Sequence, residues 1–465
     1  MQKIKGRKRH YTTIANRRKF KQSLIRKRKK QKEKAGEFKF KDDVRKMALK
    51  NGITKQKQKF RNFKRIKHIE KPEYSDTIKF IAEKKEAFSK ISKPRNEDGY
   101  FLIPEIFSLH DNYNESYEML KRLFYVLYNQ SASNITFDYA NCKRIDIDAS
   151  VVMDILLGEF ILYFKKCTSI NYTVKVLSIK PINWEKAEIK KMLFSIGAFS
   201  SITGFRINYE DVIPYPLKFS IIKSKNASRV REIHITEMVD YVIRCMEKMN
   251  RSLSPEAEKN LFEVIGEALI NAEEHSSGDK RFAIGYFQDS EDDGEHIGIF
   301  NLAILNFGNT IYEMFKNPDC PNYKAVNAMT SLSSKFTQRG IFRKAEFEEQ
   351  TLWTLYALQE GITSKADWRR GNGSIRFIES FFNLKGDNEK DNVSFLSIVS
   401  GNTRIIFDGS YRLIERPRGK HQKLFKMMTF NEIGDLETKP DKKFVTFVDN
   451  YFPGTLITAK ICIKE

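Results

Sequence analysis

Apolar residues in the stretch Leu261–His275 (LFEVIGEALINAEEH) fall at Leu261, Val264, Ile265, Ala268, Leu269 and Ala272. That spacing marks one buried face of a helix. Ser254 as cap, Pro255 in the first turn and Glu256 beside it predict a helix over Ser254–Ser276. Along its polar flank Glu263, Glu267, Asn271 and His275 follow one another four residues apart, which stacks them on one side. Around this helix the pattern predicts a strand at Pro216–Ile222 and a helix at Ile233–Met249. Arg281–Gln288 and Glu295–Leu305 then read as consecutive strands joined by the acidic turn Asp289–Gly294. Ala345–Gln359 has helical spacing. Val393–Val399 and Arg404–Phe407 read as two strands joined at Gly401-Asn402, and a last strand follows Pro453.

The preceding segment alternates between the two periods. Tyr100–Ile103 and Asn134–Phe137 read as strands, Tyr113–Tyr128 and Ala149–Phe164 as helices, Tyr172–Leu177 as a β-rich run, and Trp184–Ile196 as a helix. Strands alternating with helices imply a sheet covered by helices, an α/β class. Asp148 or Ser150 can cap the central helix. Before this, Pro72 and Pro94 bracket a short helical stretch, Thr77–Ile91, in a segment that reads as a hinge.

Charge changes the picture at the N-terminus. The chain of 465 residues carries a formal net charge of +23. Residues 1–70 hold 28 Lys+Arg against 5 Asp+Glu, and the remainder holds 54 of each sign. A basic arm precedes an electrically neutral globular part. Few apolar residues accompany that charge, so the arm cannot bury enough surface to fold alone. Phe20, Phe38, Phe40, Phe60 and Phe63 lie among the basic residues and can stack on bases. Dense positive charge gains from counterion release on a polyanion, so the expected partner of residues 1–70 is nucleic acid or ribosomal RNA. Five scattered cysteines form no zinc or disulfide pattern and suit a reducing compartment. No apolar run approaches the roughly 18 residues that span a bilayer, so a cytoplasmic protein with no membrane contact is expected.

The Glu267–Asn271 pair carries the candidate chemistry. A carboxylate one turn from a carboxamide can activate a water as general base, and the amide oxygen can ligate a hard cation such as Mg²⁺. The run from Glu267 through Asn271 to Ser276 resembles the N box of the GHKL ATPases, the Bergerat-fold superfamily of histidine kinases, gyrase B subunits, mismatch-repair ATPases and anti-sigma-factor kinases. That resemblance implies ATP and Mg²⁺ as cofactors, with Asn271 holding the metal and Glu267 acting on water. The family's adenine-reading box is Asp-x-Gly-x-Gly. Here Asn306 stands at the Asp place, Gly308 at the first Gly and Thr310 at the second. Asn keeps a carbonyl acceptor for the adenine amino group. Arg369–Ile378, with Gly371 and Gly373, is similar to the second glycine box. There, glycines before a helix let N–H groups approach phosphate at the positive end of the dipole. Gly454-Thr455 matches the closing Gly-Thr element.

Upstream, Ile145-Asp146-Ile147-Asp148-Ala149-Ser150 and the apolar helix after it resemble the STAS domain of sulfate transporters and anti-sigma-factor antagonists. The serine phosphorylated in such antagonists would fall on Ser150, followed here by Val151 in place of the family's Gly. The expected organisation is an arm and linker (1–98), a STAS-like α/β domain (99–207) and a GHKL ATPase-like domain (208–465), with a long lid at about 318–370 and an insertion at about 408–442. The resemblance implies a regulatory Mg-ATP-binding protein. It would be a slow ATPase whose lid state is coupled to the STAS-like domain and the arm. The STAS-like domain would meet a protein partner, and the chain could pair as a homodimer. The alternatives are a non-catalytic ATP-sensing adaptor and a serine protein kinase of partner switching. No helix pair carrying a phospho-acceptor His precedes the ATPase-like part, which argues against a histidine kinase.

Overall fold

The computed structural model describes residues 72–84, 99–128, 134–169, 178–197, 207–292, 294–337, 346–365, 371, 373–385, 391–418 and 423–465. The basic arm, the run Tyr172–Leu177, the lid residues Gln338–Gly340, and Arg369, Arg370 and Asn372 lie outside them. The described chain is mixed α/β, with both parallel and antiparallel sheets.

The first half runs α1 (Asp76–Glu83), β1 (Tyr100–Leu102), β2 (Ile106–Phe107), α2 (Tyr113–Tyr128), β3 (Asn134–Asp138), β4 (Arg144–Ile145), α3 (Ile147–Ser169), β5 (Ser178–Ile182) and α4 (Ala187–Ser195). Strands β1, β3 and β5 form a parallel sheet in that order, and β2 pairs with β4, also in parallel. Helix α3 is buried nearly all round, from Ile147 to Cys167. A helix apolar on every side belongs in the interior, and this one is covered by α2 on one flank and by the larger sheet on another. Among the described residues, no helix is long and apolar enough to cross a membrane.

The second half runs β6 (Val212–Ile221), α5 (Ala227–Lys248), α6 (Pro255–Glu274), β7 (Ser276–Asp292), β8 (Glu295–Gly308), α7 (Ile311–Lys316), α8 (Tyr323–Thr337), α9 (Glu349–Ala357), α10 (Gly373–Lys385), β9 (Phe395–Phe407), β10 (Ile414–Arg418), β11 (Lys423–Met427) and β12 (Val445–Lys464). Ser254 caps α6 by accepting from the Ala257 amide, and Pro255 opens it. The five-stranded sheet has the order β6-β7-β8-β12-β9 and is antiparallel throughout. Strands β10 and β11 form a separate hairpin inside the stretch read from sequence as a polar insertion.

Two sequence expectations are corrected. Phe395–Phe407 is one strand and not two joined by a turn. Gly401 does take a left-handed φ of 61°, but it does so in a bulged ladder against β12 and not in a reversal of the chain. The final strand likewise begins at Val445 and passes through Pro453-Gly454.

The large sheet is covered on both faces. Ala283, Leu302, Ile304 and Ile461 point to one core with residues of α5, α6 and α10. Phe282, Leu305, Phe307 and Leu456 point to the other, shared with Ile78, Leu120, Val152 and Leu156 of the first half. Residue 207 therefore divides the sheets between the two halves but not the second of these cores, which both halves build. Polar links cross the same seam. Lys280 pairs with Glu159 at 2.5 Å and Lys460 with Asp146 at 3.3 Å, while the Tyr113 hydroxyl donates to the Asn450 carbonyl at 2.8 Å.

Candidate functional site

On the helix side of the large sheet is a cavity of about 370 Å³. Its floor is the sheet itself, with Ile304 and Asn306 from β8 and Thr455 and Ile457 from β12. These side chains share a face because alternate strand residues do. The register sets Asn306 directly opposite Thr455. Helix α6 contributes Glu267 and Asn271, and the turn into α10 contributes Gly371, Gly373 and Ser374. Ile311, Met314 and Phe315 of α7 add an apolar wall. Six residues singled out from sequence (Glu267, Asn271, Asn306, Gly371, Gly373 and Thr455) thus line one cavity, although they come from four separate parts of the chain.

Both glycine-box positions are tightly packed, for different reasons, and the first requires glycine. Gly371 has φ of 107°, and a Cβ there would meet the Ile362 carbonyl oxygen at 2.6 Å. A Cβ at Gly373 would meet Glu267 Oε2 at 3.0 Å and Asn271 Nδ2 at 3.1 Å. The first turn of α10 therefore lies against the carboxylate–amide pair. Its amides and positive dipole end adjoin the cavity, an arrangement suited to phosphate.

Glu267 is half exposed, yet its Oε2 is buried without a hydrogen-bond partner among the described residues. Arg376 of α10 sits 3.8 Å from Glu267 Oε1 and bonds Glu263 at 2.8 Å and Asn260 at 2.9 Å. Asn306 is 2% exposed, with its Nδ2 buried and unpartnered. The Thr455 hydroxyl shares a hydrogen bond of 3.0 Å with Ser400. His275 borders the cavity, and burial, reinforced by the charge of Lys365, pushes its pKa down to about 4. It is therefore neutral at pH 7 and adds no charge to the site. Lys365 itself pairs with Glu274 at 3.4 Å.

Among the described residues, no cluster of three or more His, Cys, Asp or Glu side chains could hold a metal. A divalent cation here would rest on the Asn271 oxygen, with water and ligand phosphate completing its shell, as suits Mg²⁺, and the Glu267 carboxylate would stand beside it toward a water. The orphaned Glu267 oxygen and the glycine cradle beside it fit such a group.

Two sequence candidates fall elsewhere. Gly308 does not line the cavity. A Cβ there would meet the His275 carbonyl oxygen at 2.0 Å, so the glycine lets the corner after α6 close against the end of β8. Ser150 lies in the first turn of α3, fully buried, its hydroxyl without a partner. Phosphoryl transfer to it requires that turn to open. Arg376, Ser374 and the floor residues Ile304 and Ile457 were not singled out from sequence. Arg376 could have been found as the residue one turn into the helix that Gly373 opens.

No family model, curated protein or solved structure matches this chain.

Proposed function

We propose that this protein binds Mg²⁺-ATP in the cavity between α6, α10 and the sheet, and turns it over slowly as a Bergerat-type ATPase. The observation that carries the reading is the assembly of Glu267, Asn271, Asn306, Gly371, Gly373 and Thr455 around one cavity. Asn306 and Thr455, with Ile304 and Ile457 beside them, suit a flat base edge with polar groups. The first turn of α10 suits phosphates, and Arg376 adds positive charge there. Mg²⁺, when bound, neutralises phosphate charge. Asn271 offers it an oxygen, and Glu267 takes a proton from the attacking water or aligns that water.

An ATP-sensing adaptor is the second reading. The 3.8 Å approach of Arg376 to Glu267 favours it, because the guanidinium stands against the carboxylate that would otherwise face the water. A serine kinase acting on Ser150 has less support, given the burial of that hydroxyl. The STAS-like assignment of the first half draws on its parallel β1-β3-β5 sheet and the Asp146–Ser150 turn opening α3. The arm's role as a nucleic-acid contact rests on its composition.

Titration of Mg²⁺-ATP, followed by single-turnover phosphate release, tests the reading. Magnesium-dependent affinity below about 1 mM is expected, the upper range for working enzymes. Absence of any magnesium-dependent binding at that level would remove the nucleotide assignment. Binding without measurable release would favour the adaptor.

A further inference from the structure

Five polar residues form one row across the cavity side of the large sheet. The registers set Ser220 opposite Arg281, Arg281 opposite Asn306, Asn306 opposite Thr455, and Thr455 opposite Ser400. Ser220, Arg281, Asn306 and Ser400 are each at most 2% exposed. The Ser400 end is satisfied: its hydroxyl receives the Ile311 amide at 2.9 Å and donates to the Gly454 carbonyl at 3.1 Å. The Arg281 end is not. Its Nε donates to Glu273 at 3.0 Å, but Nη1 and Nη2 are buried without partners among the described residues. The Nδ2 position of Asn306, on the next strand, is buried and unpartnered as well.

The two ends of a carboxamide have nearly the same shape, so hydrogen bonding decides which one faces inward. A guanidinium has only donors. An inward Nδ2 would leave buried donors unpaired on both of two adjacent strands, the costly arrangement. An inward Oδ1 gives Arg281 an acceptor, since side chains directly opposite across a ladder have Cβ atoms only about 4.5–5.5 Å apart. Nδ2 then turns toward the cavity that Asn306 lines.

We infer that Arg281 orients Asn306 so that it offers an N–H donor to the base, and that the cavity accordingly takes 6-oxopurine triphosphates such as GTP and ITP at least as well as ATP. This rests on the reading of the cavity as a purine-nucleotide site. A carboxylate at position 306 can only accept, which matches a 6-amino group. An N–H donor matches the O6 of guanine or hypoxanthine, whereas adenine has no acceptor at that position and offers only its ring nitrogens. The Thr455 hydroxyl gives its proton to Ser400, whose own goes to Gly454, so toward the ligand it accepts; the adenine amino group and the N1–H of guanine or hypoxanthine can each meet it, and it does not discriminate.

The test is calorimetric titration of the full-length protein with ATP, GTP and ITP in the presence of Mg²⁺. ITP lacks the 2-amino group and isolates the effect of O6. GTP and ITP should bind within about threefold of ATP or more tightly. In Asn306→Asp the carboxylate pairs with Arg281 through one oxygen and shows the other to the base. That variant should favour ATP by about tenfold or more, because a site built to read one polar group rejects its absence. Preference of the wild type for ATP beyond about tenfold overturns the inference and leaves the nucleotide site standing. An unchanged preference in Asn306→Asp also overturns it. No affinity for any purine triphosphate overturns both readings. The wild-type ratio is decisive even if the variant does not fold.

Discussion

Gly373→Ala separates the site's function from its stability. The added Cβ would lie 3.0 Å from Glu267 Oε2 and 3.1 Å from Asn271 Nδ2, tighter than ordinary contact, so both groups must give by a few tenths of an ångström. A misplacement of 1 Å at a reacting centre costs about 10²-fold in rate, so this displacement should cost about four- to tenfold. The same change should not weaken the fold. Gly373 opens α10 and has no left-handed φ, so alanine there removes freedom from the unfolded chain, worth about 0.4–1 kcal/mol, and this offsets the cost of moving two side-chain ends. The assay is single-turnover phosphate release from Mg²⁺-ATP beside a thermal melt. Gly158→Ala serves as the control, because a Cβ in the middle of α3 meets nothing within 4 Å. The expected outcome is a slower Gly373→Ala with an unchanged or raised Tm, and a Gly158→Ala of wild-type rate. Wild-type turnover in Gly373→Ala would show that the Glu267–Asn271 geometry does not carry the chemistry.

Glu267→Gln keeps the shape and loses the basicity, so single-turnover hydrolysis should fall by about 10²–10⁴-fold with Mg²⁺-ATP affinity nearly unchanged. Equal rates for the two proteins would favour the adaptor. Asn271→Ala should abolish the magnesium-dependent part of nucleotide affinity, read by titration with and without Mg²⁺. Deleting residues 1–70 should remove salt-sensitive RNA or DNA binding and spare nucleotide affinity; an arm-deleted protein that still binds RNA would refute the arm's role. Asp148 is buried at the start of α3, and burial, then the charge of Asp146, raises its pKa to about 7, against hydrogen bonds from the Leu109 and Ala149 amides. Unfolded, it titrates near 3.9, so the folded protein holds the extra proton between the two values and Asp148 costs stability as pH rises from about 4 to 7. Asp148→Asn keeps an acceptor for both amides, so denaturant unfolding at pH 5 and pH 8 should show a smaller loss than in wild type. An identical loss would place the pH dependence elsewhere.

The elements legible in sequence are those with enough periods to read. Tyr113–Tyr128 carries more than four helical turns of pattern, and its bounds agree with α2. Strands β2 and β4 have two residues each, and two residues carry no period. The run Glu295–Leu305 reads as a strand, and its lack of polar alternation is the mark of burial on both faces; the structure carries it on to Gly308. What covers the second face is a tertiary fact. The long apolar α3 needed a partner surface, and β7, β8 and β12 needed a cover, but neither pattern names the other. Gly401-Asn402 shows the converse. The sequence pattern places a join between two strands there, the structure has a left-handed glycine inside one, and only the ladder with β12 decides between a bulge and a turn.

Spacing within one helix placed Glu267 and Asn271 together, since residues four apart share a side whatever else the chain does. The remaining members depend on where strands and turns meet. Asn306 and Thr455 adjoin because β8 pairs with β12 in one register, and a slip of one residue would send one of them to the opposite core. Gly308 has the right letter two places further on, but there the strand carries it out of the cavity and into contact with the backbone of His275. A motif thus fixes residue types at intervals along the chain. The sheet decides which of them face the ligand and which serve the close approach that shapes its cavity. Arg281 belongs to neither group by sequence, since a lone arginine in a strand is most often a solvated side chain. Its complete burial opposite Asn306 is what makes the orientation of that carboxamide bear on the base proposed for the cavity.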